Sequence, residues 1–211
     1  ISLLSMALSD KKPLTRIQKQ NISAIMDAAL QVFSAHGFRG STLDQIAINA
    51  GLSKPNVLYY FNGKEAIHVA LLSDLLDTWL DPLRALNPNG NARDELLAYI
   101  RRKLELARNF PRESRLFANE IVQGAPRIEN FLKGELRILV DEKAAVIAEW
   151  MDAGQIAKLD PYHLIFSIWA LTQHYSDFEA QIRFVRVDNI TDPHDGAQSF
   201  VETIFDKILA P

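Results

Sequence analysis

Apolar residues recur at helical spacing through almost the whole chain, and strand-like alternation is nearly absent. Ile22, Ile25, Met26, Ala29, Val32 and Phe33 fall on one helical face, and Gly37 closes that pattern as a C-cap. Ser41 or Thr42 supplies an N-cap ahead of Leu43, Ile46 and Ala47. Gly51-Leu52-Ser53 then breaks the chain before a short helix over 54–60. A turn at Asn62-Gly63 starts a long helix from Lys64 to about Leu80, which Asp81-Pro82 closes or kinks. Asn87-Pro88-Asn89-Gly90-Asn91 is the clearest loop. Further helices are expected at about 92–109, 113–123, 127–153, 161–179 and 197–209, with Pro111, Pro126, Gly154, Pro161 and Pro193 between them. Residues 183–196 read as a second irregular link. The pattern predicts an all-α protein of about nine helices without a strand.

Within residues 20–68 the second and third helices are short and joined by three residues containing glycine. That is helix-turn-helix spacing: a support helix, a tight turn and a recognition helix. Glycine suits the turn because the backbone must leave the helical region at little steric cost. Ala47 is small enough to let the two helices approach, and Leu52 and Val57 are the expected buried contacts.

Charge sharpens this picture. The 211 residues carry 23 Lys+Arg against 26 Asp+Glu, a formal charge of −3 that by itself argues against a nucleic-acid partner. Residues 1–70, however, hold seven cations against four acids, +3, and the remainder sixteen against twenty-two, −6. A basic module on an acidic body suits phosphate binding, because cations that neutralise phosphates release condensed counterions. The alternative is a surface helical hairpin with a chance charge bias. Zero cysteines exclude a disulfide framework, a thiolate nucleophile and sulfur-ligated zinc. The segment from Ile1 to Ser9 lacks the form of a secretory signal, and no apolar run approaches the roughly 20 residues of a membrane span. A cytoplasmic protein without a membrane partner is expected.

Ser41-Thr42-Leu43-Asp44-Gln45-Ile46-Ala47, Ala50-Gly51-Leu52-Ser53-Lys54, Leu58-Tyr59-Tyr60-Phe61 and Gly63-Lys64-Glu65-Ala66 together resemble the N-terminal signature of TetR-family transcriptional regulators. The resemblance implies double-stranded operator DNA as partner. It gives Thr42 a phosphate contact at the start of the support helix and has Lys54, Tyr59 and Tyr60 face the DNA. It places Lys64 on a phosphate at the start of the fourth helix, where the dipole also favours an anion. Pro55 and Asn56 stand where base-edge contacts are expected, and asparagine can pair bidentately with adenine. Either tyrosine could instead pack the domain.

The spacing of Tyr59-Tyr60-Phe61, with the stretches around Trp79-Leu80-Asp81-Pro82 and Thr172-Gln173-His174-Tyr175, resembles a pyrimidine-responsive subgroup. That likeness implies uracil or thymine as effector. Trp169 and Gln173 are four apart and share a helical face adjoined by Phe166. A primary amide offers donors and an acceptor to the edge of a planar heterocycle, and indole offers an apolar face. Trp79, Trp169 and Gln173 are the leading ligand-binding candidates, with Lys103 and Phe117 as further wall residues. The same residues could simply pack a core around a hydrogen-bonded amide. A different small metabolite, or an effector-independent architectural role on DNA, are the rival readings.

His174, Asp177 and Glu179 lack a third nearby histidine, so neither a metal nor a cofactor is expected. No catalytic constellation is visible in the sequence, which argues against an enzyme. The last helix carries Phe200, Val201, Ile204, Phe205, Ile208 and Leu209, a stripe wider than one core seam needs. A homodimer follows as the expectation, which the resemblance also implies. The division is then a DNA-binding domain over 1–66 with a flexible N-terminal arm, and a ligand-binding and dimerisation domain over 67–211.

Overall fold

The computed structural model describes residues 14–186 and 192–211. The N-terminal arm before residue 14, and part of the link expected at 183–196, lie outside them. Every regular element among the described residues is helical. The ten main helices are α1 (Arg16–Gly40), α2 (Leu43–Asn49), α3 (Lys54–Tyr60), α4 (Gly63–Arg84), α5 (Ala92–Asn109), α6 (Pro111–Val122), α7 (Arg137–Asp152), α8 (Pro161–Asp177), α9 (Glu179–Val185) and α10 (Ala197–Leu209). A helical turn at Glu129–Phe131 and a π-helical turn at Leu132–Leu136 lead into α7.

The capping chemistry explains most boundaries. Thr15 and Gln18 form a reciprocal capping box at the start of α1, and Thr42 and Gln45 repeat it at α2. Ser53 caps α3, where Pro55 sits in the first turn and costs no hydrogen bond. Gly37 interrupts α1 at φ 66°, and Gly51 turns the chain at φ 67°, as a left-handed turn position requires. Ala47 and Val57 are buried between these helices, whereas Leu52 is only half-buried.

Several boundaries differ from the sequence pattern, and the helix expected over 127–153 is divided into the turns at Glu129–Phe131 and Leu132–Leu136 and α7. α1 begins at Arg16 because the Thr15 box starts it upstream of the apolar stripe that opens at Ile22. α4 continues through Pro82 to Arg84, since the buried Leu83 and Leu86 hold the end of the helix in the core. The helix expected over 161–179 breaks at Phe178 (φ −113°, ψ 27°), and α9 follows as a separate helix, which raises the number of main helices from nine to ten among the described residues.

The chain forms two compact units. One comprises the residues up to Thr78 with Arg115–Ile128, the other Trp79–Ser114 with Glu129–Pro211. The first therefore reaches beyond the expected boundary at residue 66 and recruits most of α6 and the turn after it. The physical reason is a buried polar cluster. Glu120 on α6 accepts from the Arg127 guanidinium and backbone, both at 2.8 Å, and the guanidinium lies 3.5 Å over the Phe38 ring. His68 on α4 packs edge-on against Phe33 and Phe38.

In the second unit α5, α7, α8 and α10 surround a core containing Leu96, Ile100, Ile147, Ile165, Ile168, Val201, Phe205 and Leu209. The stripe on α10 divides in two. Val201, Phe205 and Leu209 point into that core, whereas Phe200 and Ile208 are exposed and Ile204 is half-buried.

Candidate functional site

The recognition helix α3 is held from three sides. Its N-cap Ser53 accepts from the Asn56 backbone at 3.3 Å. Lys54 reaches back to Asp44 on α2 at 2.9 Å, in an exposed ion pair. At the other end the half-buried Tyr60 hydroxyl accepts from Asn21 on α1 at 3.0 Å. Tyr59 meets the Tyr60 ring edge-on but is itself 71% exposed. The two tyrosines thus have different surroundings, one tied to α1 and one presented to solvent.

Thr42 is exposed, and its hydroxyl caps α2 while contacting Gln45 at 3.1 Å. Lys64 is half-buried and donates to the carbonyls of Phe38 and Ser41, both at 2.8 Å, with its ammonium 4.5 Å over the Phe38 ring. Two of its three protons therefore stabilise the end of α1, and one is left for an outside acceptor. Pro55 is exposed and Asn56 half-buried. Leu58 also faces solvent, a position the sequence reading passed over because an exposed leucine carries no polar signal.

The second site lies in the other unit, between α5 and α8. Tyr99 and Lys103 are one turn apart on α5, and Trp169, Gln173 and Asp177 are successive turns on α8. Trp169 Nε1 donates to Tyr99 Oη at 2.7 Å. Burial pushes the Tyr99 phenol up, partly offset by that bond. Lys103, only 5% exposed, places its ammonium 4.4 Å over the Trp79 ring. Burial lowers its pKa to about 8, and the Asp177 carboxylate acts in the opposite sense. Asp177 accepts a short hydrogen bond from Ser114. Gln173 is half-buried one turn from both Trp169 and Asp177.

Four of the five ligand-binding candidates, Trp79, Lys103, Trp169 and Gln173, therefore fall in one unit around the α5–α8 seam. Phe117 belongs to the other unit. Sequence reasoning missed Tyr99, although its spacing of four from Lys103 was available as a signal. No group of three metal-ligating side chains occurs among the described residues, and no described helix is long and apolar enough to cross a membrane.

A basic helix-turn-helix unit followed by a helical body with a buried polar seam defines a one-component DNA-binding regulator. Residues 25–71 match the family described as bacterial regulatory proteins, tetR family, and residues 72–210 match the YcdC-like protein C-terminal region. The chain belongs to the TetR family of transcriptional regulators. It is 50% identical over 162 residues to the HTH-type transcriptional regulator RutR of Escherichia coli (strain K12), covering 77% of this chain and 76% of that protein. Among solved structures it resembles a tetR-family regulatory protein from Rhodococcus RHA1, with a TM-score of 0.72 and 20% identity over 90% of this chain and 98% of that one. It also resembles AibR in complex with isovaleryl coenzyme A and operator DNA, with a TM-score of 0.70 and 17% identity over 87% and 97% of the two chains. At those identities the two structures speak for the fold.

Proposed function

We propose that this chain is a homodimeric repressor that leaves its operator when uracil or thymine binds at the α5–α8 seam. The observation that carries this reading is the pairing of Trp79 with Lys103 and of Trp169 with Tyr99, with Gln173 one helical turn from each of Trp169 and Asp177 on α8. A pyrimidine-2,4-dione presents alternating carbonyl acceptors and N–H donors around a flat ring. Lys103 can donate to a carbonyl, Gln173 can both donate and accept, and the indoles offer faces against which the ring packs. The likeness to RutR supports the pyrimidine assignment.

Thr42, Lys54, Pro55, Asn56, Tyr59, Tyr60 and Lys64 are the residues assigned to DNA. The exposed Phe200 and Ile208 on α10, with Phe166 on α8, support self-association through those helices. Trp79 and Lys64 lie on the same helix, α4, so an effector that moves Trp79 changes the helix whose other end holds the Phe38 and Ser41 carbonyls ahead of α2. The coupling cannot exceed the difference in pyrimidine affinity between the operator-bound and released states, typically about 1–3 kcal/mol.

Fluorescence anisotropy on an operator duplex, with and without saturating uracil or thymine, tests the proposal, together with calorimetry of each base with the free protein. Operator affinity is expected to fall about 5–150-fold. Unchanged affinity at saturating pyrimidine sinks the effector assignment and favours another metabolite or an effector-independent architectural role.

A further inference from the structure

We propose that Leu58 is a specificity-determining residue that reads the C5-methyl group of a thymine in each operator half-site. The inference rests on the DNA-reading role of α3 proposed above. At about 100° per residue, Lys54, Leu58, Pro55 and Tyr59 follow one another within an arc of roughly 140°. All four are exposed, with Leu58 at 45%, whereas Val57 on the opposite side is fully buried. This arc is the outward face of the recognition helix.

Its chemistry is unusual for base readout. The polar readers that pair bidentately with base edges are arginine, lysine, asparagine and glutamine, and of these only Lys54 stands on the arc. Asn56 lies about 60° beyond Tyr59 by the same helical spacing, and is half-buried. The Lys54 ammonium is ion-paired to Asp44 at 2.9 Å. Leu58, flanked by the Pro55 ring, is left as an apolar surface at the centre of the face. The apolar group presented in the major groove is the thymine C5-methyl, so an apolar centre on this helix selects thymine at the base pair it covers. Tyr59 and Lys54 then flank the contact as polar positioning groups.

The test uses the full chain and duplexes recovered by its selection from a random pool. Each thymine is replaced in turn by deoxyuridine at symmetric positions of both half-sites, which deletes one methyl and leaves Watson–Crick pairing unchanged. Wild-type protein is expected to lose about tenfold in affinity at one symmetric position, the effect of uncovering one buried methyl per half-site. Leu58→Ala is expected to bind the thymine and deoxyuridine duplexes equally, and Leu58→Met to keep the preference for thymine. Thermal unfolding of each variant confirms that the half-exposed position leaves the fold intact. The assignment is overturned if wild type tolerates deoxyuridine everywhere, or if Leu58→Ala retains the full discrimination. Selection that recovers no duplex removes the DNA-reading role itself, and this assignment with it.

Discussion

Lys103 and His68 are buried ionisable residues whose environments differ in kind. Burial lowers the Lys103 pKa from 10.5 to about 8, so the folded state binds fewer protons than the unfolded chain between those values. Stability is therefore expected to rise as pH increases from about 8 towards 10.5, on the order of 2–4 kcal/mol in total. Lys103→Met removes that cost, and denaturant titration at pH 7 is expected to show a more stable protein whose calorimetric affinity for uracil is lost. His68 is lowered from 6.5 to about 4, first by burial and then by the Arg127 and Lys64 cations, with Glu120 opposing. Here the folded state stays neutral while the unfolded chain protonates, so stability falls as pH drops from about 6.5 towards 4. His68→Phe is expected to flatten that acid limb, read from unfolding midpoints across the same window. The lysine was legible in sequence as a pocket candidate. The histidine was not, because nothing in its local spacing announces the aromatic and charged neighbours that surround it.

At the scale of elements, the caps and turns were readable and the long-range ties were not. Thr42, Ser53 and Gly51 act locally, through bonds or torsions within three or four residues, so their roles follow from short motifs. The clasp of Glu120 and Arg127 over Phe38 joins α6 to the end of α1 across some eighty residues of chain. Glu120 is almost fully buried, so Arg127→Met leaves an uncompensated carboxylate and is expected to cost about 3–5 kcal/mol in chemical unfolding. The Glu120→Gln, Arg127→Met double variant is expected to recover part of that loss, because it removes the orphan charge. The break at Phe178 belongs here too. Apolar periodicity runs on past it, and only the backbone torsions divide α8 from α9.

For the whole molecule, the division of charge and the division of the α10 stripe carry the argument. Val201, Phe205 and Leu209 are consumed by the chain's own core, which leaves Phe200, Ile204 and Ile208 as the face that the proposed homodimer would use. Ile204→Glu combined with Ile208→Glu is expected to convert a dimer to monomers in sedimentation velocity and to weaken operator binding at least tenfold, since two heads then no longer bind together. Operator affinity of the wild type should fall linearly on a log–log plot against salt, with a slope set by the phosphates neutralised.

The sequence by itself determined the helical class, the helix-turn-helix and its turn glycine, the polarity of charge between head and body, and the family signature. Each of these depends on residue identity over short spans or on simple sums. Only the tertiary structure decided which tyrosine is tied down, that Lys64 turns inward to two carbonyls, and that α6 shares its residues between two units. It also decided that Trp79 meets Lys103 while Trp169 meets Tyr99. Those facts depend on which helices pack together, and the free energy of burying and pairing distant polar groups leaves no mark in local periodicity.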